Sequence, residues 1–192
     1  CLTTQNFTFY VDDLNGGNIS DAQYRFNATN LNGSAFALNS FTIEEDDTEI
    51  IYVLGNNTIA NRSATQTQLF VMQINDTDKK ELIDNVNVSF EVTYNSLSYG
   101  TAVNNESNAT GHSTYNFDPV CSPNKYLVGD QSWIASIPTH AYYKSVTSTI
   151  NNVSIRGDIE LVYNNPDNNS NFTQEGVITF LGSTVDDCDN SL

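Results

Sequence analysis

The chain has 192 residues, 39% of them hydrophobic and only 16% charged, and Asp plus Glu outnumber Lys plus Arg by 23 to 7, for a net charge of -16. A surface of that sign repels phosphate backbones and anionic headgroups, which argues against nucleic acid and lipid surfaces as partners. No apolar run approaches the ~20 residues of a membrane span and no leader peptide is recognisable, so the sequence reads as one mature ectodomain without membrane insertion, long enough to bury a two-layer core.

Residues 3–11 alternate, with Phe7, Phe9 and Val11 on one side and Asn6, Thr8 and Tyr10 on the other, the pattern of a strand with one face to bury. Residues 12–18 turn the chain. The stretch from Asp13 to Asp21 is rich in oxygen ligands but puts Gly17 where a calcium loop needs one, so ordinary turn chemistry is the expectation there and at the acidic run Glu44–Asp47. Strands are expected at 24–28, at 35–43, at 49–54 and at 66–74, the last with Phe70, Met72 and Ile74 on one face. Residues 78–82 suit a single helical turn.

Residues 85–95 are the clearest strand: Val86, Val88, Phe90, Val92 and Tyr94 alternate with Asn87, Ser89, Glu91, Thr93 and Asn95, predicting a buried and a wet face. Tyr99–Val103 follows, then a loop at 104–111, Tyr115 and Phe117, a strand within 126–137 containing Trp133, and a pair at 141–150 and 153–163. In the second member Val153, Ile155, Ile159 and Leu161 are expected inward, with Gly157 as a bulge. A turn at 164–171 leads to a last strand at 176–182. About ten to twelve short strands and no convincing helix predict a single all-β domain, an antiparallel β-sandwich of Ig-like or jelly-roll kind, with residues 1–12 as an N-terminal arm.

Asparagine supplies 27 residues and Ser plus Thr 38, so chance gives roughly 5 Asn-x-Ser/Thr acceptor motifs. The chain has 13, at Asn6, Asn18, Asn27, Asn32, Asn56, Asn61, Asn75, Asn87, Asn105, Asn108, Asn152, Asn168 and Asn171, none with a central proline. Ser or Thr one residue after Asn occurs five times and three residues after it four times, so the excess lies only at the spacing a glycosyltransferase reads. Occupied N-glycans and an extracellular or cell-surface location are therefore expected. The three cysteines fit an oxidising compartment but cannot all pair within one chain; Cys121–Cys188 is the favoured bridge and Cys1–Cys121 the runner-up.

Catalytic chemistry is thin. Asp130, Ser132 and His140 are near in sequence but no nucleophile elbow surrounds Ser132. Asp158 and Glu160 share a strand face as solvated carboxylates do. Three distant cysteines with His112 and His140 make no metal site, and Trp133 beside Ile134 and Ile137 is a core residue before it is a sugar platform. No cofactor beyond covalent N-glycans is expected, and no enzyme. The expectation is a self-associating, non-enzymatic extracellular structural subunit, of a filament or surface coat, in which Phe7, Phe9 and Val11 form an interface strand. That plan is shared, as an analogy of architecture, with pilus-like subunits joined by donor strands. The alternative expectation is a secreted or cell-surface adhesin, a lectin-like module for glycans or a protein receptor.

Overall fold

Alternation of apolar residues builds the interior of this protein. The computed structural model describes residues 21–30, 32–63 and 66–188. In chain order its strands are β1 (Asp21–Asn30), β2 (Gly33–Thr42), β3 (Thr48–Leu54), β4 (Thr58–Asn61), β5 (Gln68–Asp76), β6 (Glu81–Leu82), β7 (Asn87–Val92), β8 (Val103–Glu106), β9 (His112–Phe117), β10 (Gly129–Ile137), β11 (Val146–Thr147), β12 (Asn151–Arg156), β13 (Ile159–Asn165) and β14 (Leu181–Asp186). The described chain is all-β and has no helix.

Two sheets face each other. One runs β4-β12-β10-β7-β8, with β11 added to β10; the other has β5 between β3 on one side and β6 and β9 on the other. Their inner faces contribute Val88, Phe90 and Val92, Trp133, Ala135 and Ile137, and Val153 and Ile155 from the first sheet, and Phe70, Met72, Ile74 and Phe117 from the second, all at most 2% exposed. Gln131 sits among them as the one large polar side chain. Its carboxamide oxygen accepts from Thr93 Oγ1 at 2.9 Å and Ser96 N at 2.7 Å, and its nitrogen donates to Leu127 O at 3.1 Å, so its burial costs no lost hydrogen bond.

Several details depart from the sequence reading. β4 pairs with β12 in parallel, and Asp46 bridges Tyr143 in parallel, so the otherwise antiparallel sandwich has two parallel pairings among the described residues. Residues 77–80 form a turn, with Asp76 Oδ1 accepting from the N–H groups of Asp78 and Lys79 at 2.9 Å each and Asp76 O from Lys80 N at 2.9 Å; it is capped as a helix start would be, but β6 begins at Glu81 and no helix follows. Residues 104–106 are strand, not loop, and most of 141–150 is irregular. The expected strand at 153–163 is two strands broken at Gly157, where an added Cβ would lie 2.5 Å from Asp187 Oδ1 and 2.8 Å from an Arg62 guanidinium nitrogen. Val153 and Ile155 are buried, but Ile159 and Leu161 are 70% and 74% exposed, because beyond the break the chain leaves the sheet. The last strand is shifted to β14. Two hairpins, β1–β2 and β13–β14, pair with no other strand among the described residues.

Candidate functional site

Of the 13 acceptor asparagines, Asn6 and Asn18 lie outside the described residues, as do Cys1, Phe7, Phe9, Val11 and all but the last residue of the Asp13–Asp21 stretch. None of the others is buried: Asn27, Asn32, Asn105, Asn108, Asn152, Asn168 and Asn171 are exposed, and Asn56, Asn61, Asn75 and Asn87 half-buried. Their local geometries differ. The Asn108 side-chain oxygen accepts from Thr110 N at 2.9 Å and His112 N at 3.0 Å and lies 2.8 Å from Thr110 Oγ1, an Asx-turn that points the amide nitrogen away from the backbone. Asn61 does the same with Ser63, accepting from its N–H at 3.2 Å. Asn105 is held the other way: its amide nitrogen donates to Thr114 O at 2.7 Å, and its motif partner Ser107 is buried with Oγ accepting from Val86 N at 3.0 Å. Ser89, expected on the wet face, is buried as well; it lies opposite Asn104 and Ser136, and so short a side chain is shielded by the strands on both sides.

The catalytic candidates are not brought together. Asp130 Oδ1 accepts from Ser154 Oγ, Ser132 Oγ is 3.5 Å from Asn152 Oδ1, and His140 Nδ1 accepts from Tyr142 N at 3.2 Å. Asp158 accepts from Ser63 Oγ at 2.6 Å, while Glu160 is exposed on β13. In the acidic run, Asp46 pairs with Lys79 at 3.2 Å and Asp47 with Lys144 at 2.6 Å, so lysines stand where a cation would. The hydrogen bond to Asp47 is the main cause that raises Lys144's pKa. Trp133 is fully buried and offers no platform for a sugar.

The favoured disulfide, together with an ion cluster that the sequence did not reveal, fixes the C-terminal hairpin to the sandwich. Cys121 and Cys188 form a disulfide, Cα–Cα 5.6 Å. Beside it Arg62, whose side chain is fully buried, donates from Nε to both Asp187 oxygens at 3.1 and 3.2 Å, from Nη1 to Tyr126 O at 2.7 Å and from Nη2 to Asp186 Oδ2 at 3.0 Å. Lys125 Nζ reaches Asp186 Oδ2 at 2.6 Å. The Asp187 hydrogen bond, ahead of the opposing effect of burial, keeps the guanidinium pKa above its already high value. Asp186, Asp187 and Cys188 are close enough together to suggest metal ligands, but the sulfur is in the disulfide and both carboxylates are engaged by cations. The only sequence hint was a lone arginine inside the Asn61-Arg62-Ser63 motif.

Exposed apolar residues gather on particular strands. On β3, Ile51, Tyr52, Val53 and Leu54 are 36–45% exposed. On β13 the outward face shows Ile159, Leu161 and Tyr163, and the segment returning to β14 shows Val177, Phe180 and Leu181. β2, β3, β13 and β14 contain no acceptor asparagine. No helix among the described residues is long and apolar enough to cross a membrane. The chain matches no protein-family model, and no curated protein is similar to it in sequence.

Proposed function

We propose that this chain is a non-enzymatic, N-glycosylated structural subunit of an extracellular assembly, a filament or surface coat, joined through β-strands shared between copies. The observation that carries the reading is where the exposed apolar residues fall. Scattered singly they would need no explanation; here most of them lie on β3, at a sheet edge, or on the β1–β2 and β13–β14 hairpins, which pair with no other strand among the described residues. A two-stranded hairpin is marginally stable alone in water, and an apolar edge strand invites strand addition. No acceptor asparagine lies on β3, β13 or β14 themselves, while Asn27 on β1 stands across from Phe36 of β2.

Sedimentation velocity and electron microscopy of the glycosylated protein over a wide concentration range test this. Discrete oligomers or fibres are expected. A monomer at every concentration defeats the proposal and favours the adhesin reading, for which the aromatics Tyr163, Phe172 and Phe180, 46–70% exposed, are the binding candidates.

A further inference from the structure

Resting on that reading, we infer that the acceptor for the shared strand is the free edge of β3, and that its occupant is residues 3–11 of a second copy. The hydrogen-bonding parity of β3 can be followed from its neighbours. Ile74, opposite Ile50, spends its N–H on Gly111 O at 2.8 Å and its C=O on Ile83 N at 3.1 Å, both on the far side of β5. Ile50 therefore aims its own backbone groups away from β5, and so does Tyr52 two residues on. Asp46 has the same parity and shows what that edge does when occupied. Its N–H donates to Tyr142 O at 2.8 Å and its C=O accepts from Lys144 N at 3.1 Å, in a parallel bridge. Past Lys144 the crossing segment takes its hydrogen bonds from β10 as β11, while still lying beside β3. The backbone groups of Ile50 and Tyr52 meet no partner among the described residues.

The side chains agree. From Ile50 to Leu54 the edge is five consecutive apolar residues with no lysine or proline to blunt it, the devices by which natural edges refuse a partner. Residues 3–11 are long enough to cover it, nine residues or about 30 Å extended, with Phe7, Phe9 and Val11 on one side to meet apolar neighbours. They carry no charged side chain, so they bring no repulsion into contact between copies that each carry -16. The nine residues from Asp12 to Ser20 that join this strand to β1 can span up to about 30 Å, enough to carry it to a second copy.

The test uses full-length chains. One carries Phe7→Asp and Phe9→Asp and cannot donate. The other carries Tyr52→Pro, which removes an outward N–H and no bond to β5; Ile51→Lys is a second such variant that charges the edge without touching the backbone. Each is expected to remain monomeric alone, and an equimolar mixture to give dimers that grow no further. Wild-type assembly that survives both β3 variants while the donor variant fails would place the acceptor elsewhere and leave the structural-subunit reading standing. Wild-type protein that never assembles, with donor and acceptor variants each destabilised, would mean the strand folds back in its own chain and would overturn both.

Discussion

The indole of Trp133 lies flat on the ring of Phe70, centroids 4.2 Å apart and planes within 3°, and so rivets one sheet to the other. Trp133 Nε1 donates to Gly55 O at 3.2 Å, and Gly55 has φ +108° with Phe70 Cδ1 2.5 Å from where a Cβ would stand. Three residues from three strands or turns are thereby mutually fixed, and only glycine fits the third position.

Trp133→Ala is expected to lower stability by about 3–5 kcal/mol, because the cavity opens between two sheets that cannot both collapse into it. Gly55→Ala, a far smaller change, should cost about 1–3 kcal/mol in backbone strain and more through the contact of its Cβ with Phe70 Cδ1. Urea unfolding followed by fluorescence measures Gly55→Ala directly, and circular dichroism serves for the variant lacking the indole.

Arg62→Met is expected to cost about 3–5 kcal/mol, since it leaves Asp186 and Asp187 half-desolvated without the cation that offsets them. The disulfide is a separate contribution, about 4 kcal/mol in the chain-entropy model. Urea unfolding of the wild type, of Arg62→Met and of the reduced protein measures the two contributions, and an Arg62→Met variant as stable as the wild type would contradict the clamp.

Deglycosylation should bring the intact mass down toward the 21.2 kDa of the polypeptide. If the transferase meets folded protein, peptide mapping should find Asn61 and Asn108 modified and Asn105 bare. Equal occupancy at Asn105 would show that modification precedes folding, and a mass unchanged by deglycosylation would remove the extracellular reading.

Burial, ahead of the Tyr126 and Asp118 charges, pushes the Tyr115 pKa up to about 12, from an ordinary 10; burial raises Tyr126 too. The folded state then keeps protons that the unfolded chain releases above pH 10, so stability is expected to fall as pH rises from about 10 to 12. Tyr115→Phe should flatten that fall, measured as unfolding free energy across the same window. An unchanged slope would show that Tyr115 does not contribute.

Where a residue's environment is set by the strand it belongs to, the sequence was readable. Phe70, Met72 and Ile74, or Val88, Phe90 and Val92, declare a buried face through period 2 alone. The same rule misplaced Ile159 and Leu161, because alternation announces an apolar face but not whether the chain supplies anything to cover it. Parallel pairing of β4 with β12 left no local mark. The Arg62 cluster joins residues 124 and 125 positions apart, and nothing within either segment foretells the other; the disulfide was legible only because cysteines are few.

The bridge from Cys121 to Cys188 closes off a stretch with a sequence separation of 67. If tension is applied along the polypeptide, this covalent shortcut carries it past β10 to β14, so those strands bear no load while the bond is intact. Reduction would release about 230 Å of additional contour. The oxidation state of one bond would thus set how far the chain can be drawn out when it is pulled from its two ends.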